Sequence, residues 1–229
     1  MNSDLSEAAV VIRRNPRARR ASLRVDPASG AIRISLPPRA SLRIAQRLIA
    51  DHGDWIPRQR AAVPPPAPFV SGMSLNFRGL PLLIEWSSAA ARRPRAEDGT
   101  LLVGGPEEGV SRRIERWLKA EATRLFTEMA LALAAEAAVT VAGVRVGDPR
   151  SRWGSCSATG AIALSWRLVM APDWVWKAVV AHEIAHRVHM NHGAAFHALA
   201  DRLSGGQDRP ARAWLRANGA ALHRAGKPA

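Results

Sequence analysis

Apolar and polar residues alternate with a period of two along residues 9–36. Leu23 and Val25, then Ile32, Ile34 and Leu36, mark two strands with one buried face, and Asp26-Pro27-Ala28-Ser29-Gly30 between them has the composition of a hairpin turn. The period then lengthens. Leu42, Ala45, Leu48 and Ile49 form a helical stripe that Ser41 can cap, and Gly53 and Pro57 are expected to break or kink it near Trp55 and Ile56. Four prolines in residues 63–68 make a stiff connector. Residues 69–103 read as further short strands with turns at Arg78-Gly79 and Asp98-Gly99.

From residue 111 to about 138 the spacing is helical. Ile114, Trp117, Leu118, Ala122, Leu125, Met129 and Leu133 recur on one face, Gly and Pro are absent, and Ser111 is the expected N-cap. Residues 139–168 return to strands: Val139, Val141, Val144 and Val146 are β-branched, and a turn-rich Ser151–Ser157 precedes a strand over residues 161–169. Pro172 and Asp173 suit the first turn of the next helix, with Val175, Val179 and Ile184 as its packing face. The pattern predicts an α+β chain: a β-rich accessory region with one helix over 1–105, then a compact domain over 106–229 with a backing helix, a small sheet and a second helix.

Composition narrows the setting. The chain has 229 residues, 47% of them apolar, with no run long and apolar enough to span a membrane. Residues 1–10 carry Asp4 and Glu7 and lack a basic-then-apolar leader pattern, and a single cysteine, Cys156, excludes an internal disulfide framework, so a reducing cytoplasm is expected. As a lone cysteine, Cys156 reads as a small buried hydrophobe rather than a nucleophile. The net charge of +14 is almost all arginine, clustered at Arg13, Arg14, Arg17, Arg19 and Arg20 and again at Arg92, Arg93 and Arg95. Such a charge favours an anionic partner such as nucleic acid, although a base composition that enriches Arg, Ala and Gly produces the same excess with no partner.

The chemistry is concentrated in residues 182–192, which hold four of the seven histidines, including His182-Glu183-Ile184-Ala185-His186. On a helix, positions four apart lie about 40° apart and one turn up, so His182 and His186 face one point and can share a tetrahedral Zn²⁺, with Glu183 beside the metal's water as general base. A continuous helix would place His192 about 80° off that face and His189 about 10 Å along the axis, so neither completes the site from an unbroken helix. The helix is therefore expected to end near Met190, with Asn191 or Gly193 taking left-handed geometry and the turn returning His192 as third ligand. No glutamate follows Glu183 and no methionine follows Met190, which removes the layouts that need a later Glu ligand or a methionine turn. Asp201 is the alternative ligand.

Arg152-Trp153-Gly154-Ser155-Cys156-Ser157, Trp166-Arg167-Leu168, Pro172, the H-E-x-x-H-x5-H stretch with Asn191-His192, and Phe196 together resemble the YgjP-type metallopeptidase-like proteins, relatives of the SprT and WLM zinc proteases. The resemblance covers most of the chain, including the basic N-terminal hairpin, the Trp117-Leu118 helix and a tail like residues 210–215. It implies a zincin fold, one bound Zn²⁺ per chain, the ligands His182, His186 and His192, and Glu183 as catalytic base. Ser165, Gly193 and His197 stand where the family usually has Asn, Ser and Trp, and tyrosine is absent.

The expected activity is hydrolysis of a protein or peptide substrate by a zinc-activated water with Glu183 as base. A strand over residues 162–168 is expected to line the cleft and pair with the substrate backbone. With no tyrosine available, His189, His197 and Arg152 are the expected oxyanion donors. The alternatives are a zinc-containing, nucleic-acid-associated binding protein, or a protease acting on DNA-bound proteins.

Overall fold

A computed structural model describes residues 9–27 and 29–228. Ala28 of the expected turn and most of the N-terminal stretch read for a leader lie outside the described residues. By contacts the chain divides into two compact units, residues 1–65 and 66–229.

The first unit pairs β1 (Val10–Arg14), β2 (Ser22–Val25) and β3 (Ile32–Leu36) in the order β1-β3-β2, with β2 antiparallel and β1 parallel to β3. The hairpin closes as its composition suggests: Gly30 N–H donates to Asp26 O at 2.8 Å, and Gly30 has φ +70°. Asp26 is buried and paired with Arg33. β1 is an element the alternation did not single out, because its Val10 and Ile12 lie exposed on an edge strand. The Ser41 hydroxyl accepts from Arg43 N–H at 3.2 Å and caps α1 (Leu42–Asp51), while a second helix, α2 (Trp55–Ala61), starts after Gly53. Ile32, Ile34, Leu36, Ala45 and Ile56 form the core, and Leu42 of the expected stripe is exposed.

The second unit starts with a four-stranded sheet, β4 (Ser74–Phe77), β5 (Leu80–Trp86), β6 (Arg95–Glu97) and β7 (Thr100–Val103), in the order β4-β5-β7-β6. Both expected turns form, with positive φ at Arg78 and Gly79 and at Asp98 and Gly99, the geometry of two-residue hairpins. Residues 66–105, read from sequence with the N-terminal region, thus belong to the unit that carries the histidines.

The backing helix is α3 (Val110–Glu136), with Ile114, Leu118, Ala122 and Phe126 fully buried. Ser111 lies inside it rather than capping it, because a 3-10 turn over Glu107–Gly109 leads the chain in. A second sheet, β8 (Gly143–Gly147), β9 (Gly154–Cys156) and β10 (Ala161–Ser165), follows in the order β8-β10-β9. Two expectations are corrected here. The strand expected to run to residue 169 stops at Ser165 and gives way to a 3-10 turn, Trp166–Met170, whose five residues are all buried. A run in which every residue is buried, Arg167 included, carries no periodicity by which strand and helical turn could be told apart. β10 is also the central strand, hydrogen-bonded on both sides, so it has no free edge for a substrate; the edge strands are β8 and β9.

α4 (Asp173–Ala185), α5 (Ala194–Ser204) and α6 (Asp208–Arg224) complete the unit. Arg167 is 3% exposed; it pairs with Asp148 at 2.7 Å and donates to Leu222 O and Ala225 O, each at 2.8 Å, fixing the end of α6. The fold is α+β, with sheets leading and helices closing the chain, as a compact zincin-like domain requires. Among the described residues no helix is long and apolar enough to cross a membrane.

Candidate metal centre

α4 delivers His182 and Glu183 from its last turn and holds His186 at its C-cap. The helix ends at Ala185, earlier than expected, and continues as turns in which His189 N–H still donates to Ala185 O at 2.9 Å. The expected left-handed residue is not used: Gly193 has φ −79° and serves as N-cap of α5, and Asn191 is not among the residues with positive φ. Tightened turns and an extended Gly193 reverse the chain instead, and they bring His192 over the ends of the other two rings.

His182, His186 and His192 each offer a ring nitrogen, and these atoms lie within 4.8 Å of one another. His182 Nε2 and His192 Nε2 are 3.2 Å apart. Two nitrogens bound tetrahedrally to zinc at about 2.05 Å would be about 3.3 Å apart, so this pair already has the spacing of metal ligands. Phe196, fully buried, lies under all three rings with centroids 4.5–4.8 Å away.

Tautomers are set from behind. His182 Nδ1 lies 3.0 Å from Asp208 Oδ1, and His186 Nδ1 lies 3.2 Å from His189 O. A carboxylate and a carbonyl only accept, so both Nδ1 atoms carry the proton and both Nε2 lone pairs are left for a metal. Burial, with His186 and His192 nearby, pushes the His182 pKa down against Asp208; burial and His192 lower that of His186. Both shifts favour the neutral ring that a metal needs.

Glu183 is 5% exposed, and its Oε2 is buried with no hydrogen-bond partner among the described residues. Desolvation pushes its pKa up to about 7, against the opposing charge of Arg152. The Glu183 carboxyl is pressed from the other side by β9. A Cβ on Gly154 would collide with Glu183 Oε1, so glycine in the R-W-G-S-C-S stretch lets the Glu183 carboxyl keep its place. Three clustered imidazoles, with a carboxyl oxygen left unsatisfied on the residue next to one of them, are a donor set that fits a divalent cation and a water.

Other expected residues take lesser places. Asp201 is exposed and outside the histidine cluster. The half-buried Cys156 thiol has its pKa pushed up by burial, which favours the thiol over the thiolate. His189 serves through its backbone carbonyl, and the His197 ring lies 6.1 Å from that of His192. Asp208, buried at the start of α6 and paired with Arg212 at 2.8 Å, is the residue sequence reasoning missed. Its only signal was an Asp-x-x-x-Arg spacing at a helix start.

The sequence matches the family model described as YgjP-like, metallopeptidase domain, over residues 19–218. Comparison with curated proteins and with solved structures finds no match.

Replacing Asp208 by Ala is expected to weaken metal affinity by about 10–100-fold in chelator competition, because His182 loses the partner that orients it. The metal-free protein carries a second signature. Glu183 keeps its proton up to about pH 7 when folded and ionises near 4.5 when unfolded, so the folded state binds more protons in between. Stability therefore falls as pH rises through that window and stays lowered above it. Glu183→Gln is expected to stabilise the metal-free protein by on the order of 3 kcal/mol at pH 8 and by much less at pH 5, measured by urea unfolding.

Proposed function

Because the chain belongs to the YgjP-like metallopeptidase family, we propose that it is a zinc-dependent peptidase in which His182, His186 and His192 hold one zinc per chain and Glu183 is the general base. The observation that carries this reading is the buried, partnerless Glu183 Oε2 next in sequence to a histidine whose free nitrogen is 3.2 Å from that of His192. A zinc ion held there supplies Lewis acidity, lowering the pKa of a water and polarising the peptide carbonyl.

The chain's own groups do the rest. Glu183 takes the proton from the attacking water; oxygen bonds to the carbonyl carbon, the C–N bond breaks, and Glu183 passes that proton to the leaving nitrogen. The positive charge reaching Glu183 from Arg152 supports that residue as the oxyanion donor, ahead of His189 and His197. β9, an edge strand touching Glu183 through Gly154, is the strand beside which an extended substrate can add. The single cysteine supports a cytoplasmic setting.

A second reading, action on proteins held on nucleic acid, is favoured by the N-terminal unit. Residues 1–65 carry 12 arginines against 5 acidic residues, half of the net +14 in under a third of the chain. The sheet face away from the core presents Arg13 in register with Ser35 and Ser22, and Arg24 in register with Arg33, over a concavity of about 500 Å³. Arg13 and Arg24 make no ion pair among the described residues.

Zinc-loaded Glu183→Gln is expected to keep its metal by elemental analysis and to lose at least 100-fold in kcat/KM on an unfolded protein such as casein; full activity in this variant would sink the base assignment. For the second reading, Arg13→Ala with Arg24→Ala is expected to reduce the slope of log Kd for DNA against log salt by about 2. An unchanged slope would remove this face as the contact.

A further inference from the structure

Beside Glu183, on the side of the site facing α6, a cavity of about 170 Å³ opens. His182, Glu183 and Asp208 reach its rim, whereas His186 and His192 do not. Trp153, Val179, Leu215, Ala178 and Ala211 form its walls and floor. The cavity is built rather than incidental. The Trp153 ring stacks on buried His223 with centroids 4.7 Å apart and planes at 23°, and a Cβ on Gly219 would come within 2.8 Å of Trp153 Cζ2. The indole is thus seated against a glycine of α6, and that seating holds the wall open.

Charge does not select at this pocket. Asp208 spends Oδ1 on His182 and Oδ2 on Arg212. Arg212 itself lines the cavity, with its charge paired to that Asp208 oxygen, and the remaining carboxyl is Glu183, whose task lies at the scissile bond. What the pocket offers is apolar surface in a volume slightly above that of an apolar cavity of about 150 Å³ known to hold benzene.

Its position fixes which substrate residue it meets. Glu183 must reach the leaving nitrogen to hand over the proton, and the next substrate residue's side chain hangs one carbon from that nitrogen. We infer that this pocket is the specificity subsite for the residue on the amine side of the cleaved bond, and that it takes a leucine- to phenylalanine-sized apolar side chain. The inference rests on the peptidase reading above and deepens it. Trp153 and Gly154 then divide the labour of one short motif: the glycine admits the base, and the tryptophan shapes the pocket.

The test uses the zinc-loaded full chain on a proteome-derived peptide library, with cleavage sites read by mass spectrometry. Leucine, methionine or phenylalanine on the amine side is expected to exceed glycine, aspartate and lysine by at least tenfold, since even one methylene fitted in an apolar pocket is worth that much. Ala211→Met fills the cavity and is expected to move the preference to glycine and alanine; Leu215→Ala widens it and is expected to move the preference toward tryptophan. Cleavage without preference on that side, or a preference that both substitutions leave in place, overturns the inference. A second readout needs no turnover: toluene should show saturation transfer from the metal-free protein, lost in Ala211→Met. Toluene bound with no peptide cleaved overturns the peptidase reading and the peptide assignment with it, leaving an apolar binding site. Peptide cleavage with no toluene signal overturns the pocket alone.

Discussion

A carboxyl group taken out of water without a hydrogen-bond partner for one of its oxygens raises the energy of the folded state, and Glu183 is such a group. Much of the second unit can be understood as the packing that keeps it there. α4 presents it from its last turn, α3 and the 3-10 turn over Trp166–Met170 pack behind that helix, and β9 closes over it at Gly154, where a Cβ would force the Glu183 side chain to shift. Desolvation that disfavours the ionised form also makes the group a stronger proton acceptor than an exposed glutamate. The same burial that lowers stability raises the basicity of the carboxylate.

The three imidazoles illustrate a complementary constraint. Their metal-facing nitrogens are set by what lies behind the rings: Asp208 behind His182, the His189 carbonyl behind His186, and Phe196 beneath all three. Because these partners belong to α5, α6 and the turn after α4, the geometry of the site is a property of the packed helices rather than of the motif alone. Arg187, directly after His186, donates to Thr140 O and Ala158 O at 3.0 Å each and ties the same turn to the loops of the second sheet.

What could be read from sequence was local. Spacing on one helix identified His182, Glu183 and His186; dipeptides with positive φ marked the hairpins at Arg78-Gly79 and Asp98-Gly99; an uninterrupted stripe marked α3. The need for a break in α4 was legible from the position of His192, whereas its form was not, because several turn geometries reverse a chain equally well. The central place of β10 depends on pairing with β8, about twenty residues earlier in the chain, and no local pattern encodes that. Asp208 was hidden for the same reason: it meets His182 across 26 residues, at a helix start where an aspartate already has an ordinary explanation. Contacts decided by which helices pack together carry no spacing rule.

α6 is held at both of its ends, by Asp208 against His182 at one and by Arg167 against Leu222 O and Ala225 O at the other. It is a strut with two anchors, and one anchor is a histidine of the candidate metal cluster. A disturbance at the far anchor, more than a dozen residues along the helix and outside the histidine cluster, can therefore travel as a rigid tilt to the ring of His182. The final helix, which lies outside the H-E-x-x-H stretch, acts as the tensioning member of the histidine cluster.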